Sequence, residues 1–104
     1  MKRHAFTLKL KPGCATEYRR RHAAIWPELI HETRESGVCD FSIFLEESTH
    51  TLFLYQVLKD ETSAAGRAPS DVSLRWRDYM ADLIEVHADN APKAGCLTEV
   101  FHMK

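Results

Sequence analysis

Three side chains able to move a proton or hold a polar ligand recur every four residues in one stretch. They are Tyr18, His22 and Trp26, within the run Glu-Tyr-Arg-Arg-Arg-His-Ala-Ala-Ile-Trp-Pro-Glu-Leu at residues 17–29. On a helix, positions i, i+4 and i+8 share a face. The spacing predicts an imidazole directed inward, a phenol one turn before it and an indole one turn after. Histidine exchanges protons near neutral pH. Its aromatic neighbours join an apolar body to a polar tip, which suits hydroxylated ligands such as sugars. Ile25 and Leu29 widen the face, while Glu17, Arg19, Arg20, Arg21 and Glu28 are expected mostly toward water. Pro27 sits inside the same predicted helix, where it removes a backbone donor and crowds the carbonyl of Ala23, so a kink is expected one turn from His22. Taken alone, this helix also fits a hydrogen-bonded core histidine without catalytic duty.

The elements that must position this face follow from the hydrophobic pattern. Residues 5–10 alternate as a strand, with Phe6, Leu8 and Leu10 on one side. Lys11-Pro12-Gly13 breaks it, and Pro12 suits the first turn of the following helix. That helix is predicted to reach about Ser36, where Gly37 supplies the left-handed residue that commonly ends helices. Residues 39–45 form a second strand and residues 51–58 a third, joined by the polar turn at residues 46–50. Residues 59–69 read as a loop. Ser70 is a plausible N-cap for a helix over 71–86, with Val72, Trp76, Tyr79, Met80 and Leu83 inward. Residues 97–103 complete the chain as a fourth strand.

Strand, helix, strand, strand, helix, strand over residues 1–104 is one α+β domain. The order is that of the ferredoxin-like βαββαβ arrangement, four antiparallel strands with two main helices on one face. The third strand is apolar on both sides, as is the fourth. An open sheet with helices on one side should have a polar second face, so a second copy of the chain is expected to cover it, giving a homodimer.

Composition narrows the functions. With 14 basic and 15 acidic side chains the net charge is −1, which leaves no electrostatic footprint for nucleic acid or an anionic membrane. No apolar run approaches the roughly 20 residues that cross a bilayer. The N-terminus leads into a strand pattern and not into a signal peptide. Three widely spaced cysteines, Cys14, Cys39 and Cys96, argue against a disulfide framework and for a reducing cytoplasm. The six histidines form no metal-ligand pattern and the four glycines are isolated, so neither a metal nor a cofactor is expected.

Beyond these physical readings, the chain resembles L-rhamnose mutarotases along its whole length. The resemblance rests on Tyr18-x-x-x-His22, on Ile25-Trp26-Pro27-Glu28-Leu29, on Arg75-Trp76 and Tyr79-Met80, on Asp89-Asn90-x-Pro92 and on Glu99-Val100-Phe101. It implies a cytoplasmic ferredoxin-like protein forming a dimeric α/β barrel, which interconverts the anomers of a monosaccharide without a cofactor. His22 would be the proton donor, and Tyr18 and Trp76 would contact the sugar. Two positions depart from the family pattern. Phe41 stands where a tyrosine is usual, and Trp76-Arg77 where a tandem tryptophan pair is usual. Both fall at sugar-contacting positions, and polar contacts discriminate ligands strongly. The substrate therefore stays open between L-rhamnose, L-fucose and a related 6-deoxyhexose. A ferredoxin-like dimeric monooxygenase and a non-catalytic sugar-binding module are the alternatives from other classes.

Overall fold

The computed structural model describes residues 1–60 and 69–104. In chain order the elements are β1 (Lys2–Lys9), α1 (Ala15–Ala23), α2 (Pro27–Glu35), β2 (Val38–Glu46), β3 (Thr51–Leu58), α3 (Asp71–Met80) and β4 (Gly95–Cys96). The sheet runs β2-β3-β1-β4, with every neighbouring pair antiparallel. This is the ferredoxin-like order expected from the sequence. The loop expected at 59–69 lies largely outside the described residues.

The single long helix ending near Ser36 is instead two helices. Trp26 is extended (φ −64, ψ 129) and caps α2, with Pro27 in its first turn. A proline biases the residue before it away from helical dihedrals and is itself preorganised for a helix start. The expected kink is therefore a complete break. Ser36 caps the end of α2, and Gly37 follows at φ 103. Pro12 is not in the first turn of a helix, because it lies in a turn closed by the Cys14 amide on the Lys11 carbonyl at 3.2 Å.

The third helix starts as expected, with the Ser73 amide donating to Ser70 Oγ at 3.2 Å. It stops at Met80, short of residue 86. Past that point the backbone is claimed by the end of β1. The Lys11 amide donates to the Leu83 carbonyl and the Glu85 amide to the Lys9 carbonyl, at 2.8 and 2.9 Å. β-Branched Ile84 and Val86 suit these short bridges to Leu10 and Pro92 better than further helical turns.

Register separates the two faces of the sheet. Leu8, Leu52 and Leu45 lie side by side, as do Phe6, Leu54 and Ile43, and these face the helices. The core joins Leu8, Leu10, Leu52 and Leu54 to Met80, Leu83 and Ile84. One residue over, Thr7, Phe53 and Phe44 form the corresponding row on the other side, where Phe44 is 64% and Phe53 39% exposed. A shift in register between Val38 and Asp40 breaks the regular alternation at the start of β2.

The fourth strand differs from expectation. Only Gly95 and Cys96 pair, with Thr7 and Phe6, and residues 97–103 form no strand. A Cβ on Gly95 would meet Thr7 Oγ1 at 2.6 Å, so a glycine is needed for the close approach. The tail is held by the Leu97 amide on the Ala5 carbonyl and by the Arg3–Glu99 ion pair, and Val100, Phe101 and Met103 stay exposed. Its apolar residues fall on both parities, and among the described residues none covers Val100, Phe101 or Met103.

Candidate active site

A cavity of ≈ 1030 Å³ opens between the helices and the inner face of the sheet. Tyr18, His22, Phe41, Trp76 and Arg77 all line it, although they come from α1, β2 and α3. Asp40 lines it as well.

His22 is half-buried on α1. Its Nδ1 lies 3.0 Å from the Tyr18 carbonyl. A carbonyl can only accept, so this bond puts the proton on Nδ1 and leaves Nε2 with a free lone pair. Burial lowers the pKa of His22 from the usual histidine value, and the bond to Tyr18 offsets this in part. The resting imidazole is thus neutral at pH 7, with one nitrogen fixed by the backbone and the other able to take a proton. Burial also pushes the Tyr18 phenol up to about 12, so it remains a protonated donor. The two rings are 4.4 Å apart.

Trp76 meets His22 edge-on at 5.4 Å and Trp26 edge-on at 5.1 Å. The expected column of Tyr18, His22 and Trp26 is therefore interrupted. With the helix broken at Trp26, the indole of α3 inserts after His22 and Trp26 moves outward to stack on Tyr79 at 5.7 Å. Tyr79, expected to face inward, is 40% exposed and forms the outer wall of this aromatic group.

Arg77 reaches back to the turn at residues 89–91. Its Nη2 donates to the Asp89 carbonyl at 3.4 Å, and its Nε is buried without a hydrogen-bond partner. The turn is built on Asn90 in the left-handed region (φ 68), whose amide side chain donates to Asp78 at 3.1 Å. Asp89 Oδ1 accepts from the Ala91 amide, which holds its carboxyl below the usual range. The contact of this turn with Arg77 and Asp78 joins two segments of the chain and is a tertiary feature. Among the described residues, no group of three or more His, Cys, Asp or Glu side chains could hold a metal ion.

Arg21 is a residue that sequence reasoning misplaced. Expected in water, its side chain is only 12% exposed and bridges α1 to the end of α3. The signal was its position next to His22, but three consecutive arginines concealed which one turns inward.

A family model described as L-rhamnose mutarotase matches residues 3–103. The chain belongs to the L-rhamnose mutarotase family. It is 48% identical to an L-rhamnose mutarotase of Phocaeicola vulgatus and 46% identical to one of Bacteroides thetaiotaomicron, over 99% of each chain. The crystal structure of an L-rhamnose mutarotase from Formosa agariphila superposes with a TM-score of 0.89 at 36% identity, covering all of both chains. A putative antibiotic biosynthesis monooxygenase from Nitrosomonas europaea, 19% identical with a TM-score of 0.61 over 97% of this chain and all of that one, shares the fold alone. The cavity beside His22 holds both Phe41 and Arg77.

Proposed function

We propose that this chain interconverts the α and β anomers of L-rhamnopyranose, with His22 as the group that moves the proton. The observation that carries the reading is a neutral imidazole whose Nδ1 is held by the Tyr18 carbonyl, on the wall of a cavity shared with Tyr18 and Trp76.

Mutarotation removes the proton from the anomeric hydroxyl, breaks the bond from C1 to the ring oxygen and protonates that oxygen. The open-chain aldehyde turns about its C1–C2 bond and closes by the reverse steps on its other face. Nothing is gained or lost overall. His22 Nε2 accepts the anomeric proton, and the resulting imidazolium is the donor for the ring oxygen. Burial favours neutral imidazole over imidazolium, which keeps the proton ready to leave again. One positioned acid–base group contributes roughly 10²–10⁴-fold, enough for a reaction that sugars already undergo slowly in water. The protonated Tyr18 phenol donates to a sugar oxygen. Trp76 offers an aromatic face to the sugar's C–H groups. Phe41 forms an apolar wall, and Arg77 reads a hydroxyl with its unpartnered Nε–H.

Two further readings belong to this proposal. The exposed Phe44, Phe53 and C-terminal Phe101 support a homodimer that covers the outer sheet face. Three free cysteines support residence in the cytoplasm. Among the described residues no helix is long and apolar enough to cross a membrane.

The test is saturation-exchange NMR between the anomeric protons of L-rhamnose, L-fucose and L-mannose. Acceleration over the buffer rate is expected with L-rhamnose. No acceleration with any of the three sinks the reading, and a rate greatest with L-fucose moves the substrate to that sugar. A Soret band in the purified protein would favour haem chemistry instead.

A further inference from the structure

The ion pairs of α1 differ sharply in setting. Arg20 binds Glu17 from a position 63% exposed, where such pairs contribute little. The neighbouring Arg21 is enclosed. Its Nε donates to Glu17 at 2.7 Å and its Nη1 to the Tyr79 carbonyl at 2.7 Å. Its Nη1 and Nη2 form a fork on the Asp82 carboxylate, at 2.8 and 3.2 Å. Its guanidinium also lies over the Tyr79 ring, 4.5 Å from the centroid.

These contacts converge on the end of α3. The Tyr79 carbonyl is among the last of that helix, where carbonyls lack a partner along the helix and attract a cation. The Tyr79 ring in turn packs on Trp76 at 5.6 Å, and Trp76 on His22 at 5.4 Å. A closed loop of contacts therefore runs from Arg21 through Tyr79 and Trp76 back to His22, the next residue on α1. This loop has few substitutes, since α1 buries none of its residues fully.

We propose that Arg21 is a positioning residue for the anomer exchange, locking α1 against α3 so that the His22 imidazole is held at a set distance and angle from Trp76 and from the sugar seated there. The proposal rests on His22 being the proton-transfer group. Lysine cannot replace this function, because an ammonium is a point donor and cannot fork onto Asp82 while also capping the Tyr79 carbonyl. Small misplacements of a catalytic group are costly, with about 1 Å worth roughly 10²-fold in rate.

The experiment compares R21K, D82N and the double variant. Anomer-exchange NMR supplies kcat and KM, near-UV circular dichroism reports the two indoles, and the ¹⁵N shifts of His22 report its tautomer. R21K is expected to lose about 10–100-fold in kcat per folded molecule while KM changes less than about threefold. D82N should lose less in the same direction. The double variant should be no worse than R21K, because both remove one bridge. Wild-type kcat in folded R21K overturns the proposal, as does a double variant whose losses simply add. Should R21K fail to fold, D82N decides: lowered kcat with unchanged KM supports the proposal and wild-type kcat overturns it. If the wild type exchanges no sugar, the functional reading has failed separately. The positioning claim then stands or falls on whether the indole dichroism and His22 shifts of R21K differ from wild type.

Discussion

Both faces of the sheet carry large apolar side chains, and they are finished in opposite ways. On the inner face, Leu52 and Leu54 of β3 are 2% and 6% exposed, sealed under α3 and the turn that follows it. Between them Phe53 points the other way and is 39% exposed, beside Phe44 at 64%. The inner face solves its packing within one chain and leaves a cavity where aromatic rings from α1 and α3 meet. Among the described residues no helix covers the outer face, and Val100, Phe101 and Met103 of the tail are exposed as well. Apolar residues alone thus say little about what a surface does. Polar groups placed among them, His22 and Arg77 on the inside, distinguish a site from a contact surface.

The contrast can be tested from both sides. Replacing His22 by alanine should lower anomer exchange by about 10²–10⁴-fold with the fold intact by far-UV circular dichroism. Retained exchange would remove the inner face's claim to chemistry. Leu52→Ala should cost about 2–5 kcal/mol in denaturant unfolding, whatever the protein concentration. Phe53→Ala, one residue away, should be costly only to the extent that a second copy covers it. Its effect on Tm should therefore vary with protein concentration. Phe44→Glu is the sharper form of that test. Sedimentation should report monomer for the variant and dimer for the native chain, and a native chain that sediments as monomer would leave the outer face unexplained.

The smallest expected effect is in the pH profile of kcat/KM. Burial lowers the pKa of His22, and in the proposed mechanism the neutral form takes the anomeric proton. The rate should thus be level around neutral pH and fall as pH drops through a value below the usual 6.5. An acid limb centred above 6.5 would mean that the imidazole is not desolvated in the way its burial on α1 implies.

Much of this arrangement was legible in residue order. Period-two alternation placed the first three strands to within a few residues, and Ser70 and Gly37 marked helix ends through backbone requirements that are local. Local rules failed where distant backbone competed. Helix α3 ends at Met80 because the end of β1 takes the next amides and carbonyls. Residues 97–103 are apolar on both parities and read as a buried strand, but a strand needs a neighbour and β4 keeps only Gly95 and Cys96 paired. The site divides in the same way. Tyr18 and His22 are neighbours by helical spacing, so their contact followed from the sequence. Trp26 was assigned to the same column because a kink was expected at Pro27, and the complete break gave that place to Trp76.

Residue order by itself determined the paired phenol and imidazole, the two sheet faces and a disturbance of the helix at Pro27, since each depends on dihedral preferences and spacing within a few residues. Only the tertiary structure decided that Trp76 and not Trp26 sits against His22, that Arg21 is enclosed while Arg20 stays exposed, and that Arg77 meets the 89–91 turn. Those outcomes depend on how separate elements compete for the same space and the same hydrogen-bond partners, which no local pattern encodes.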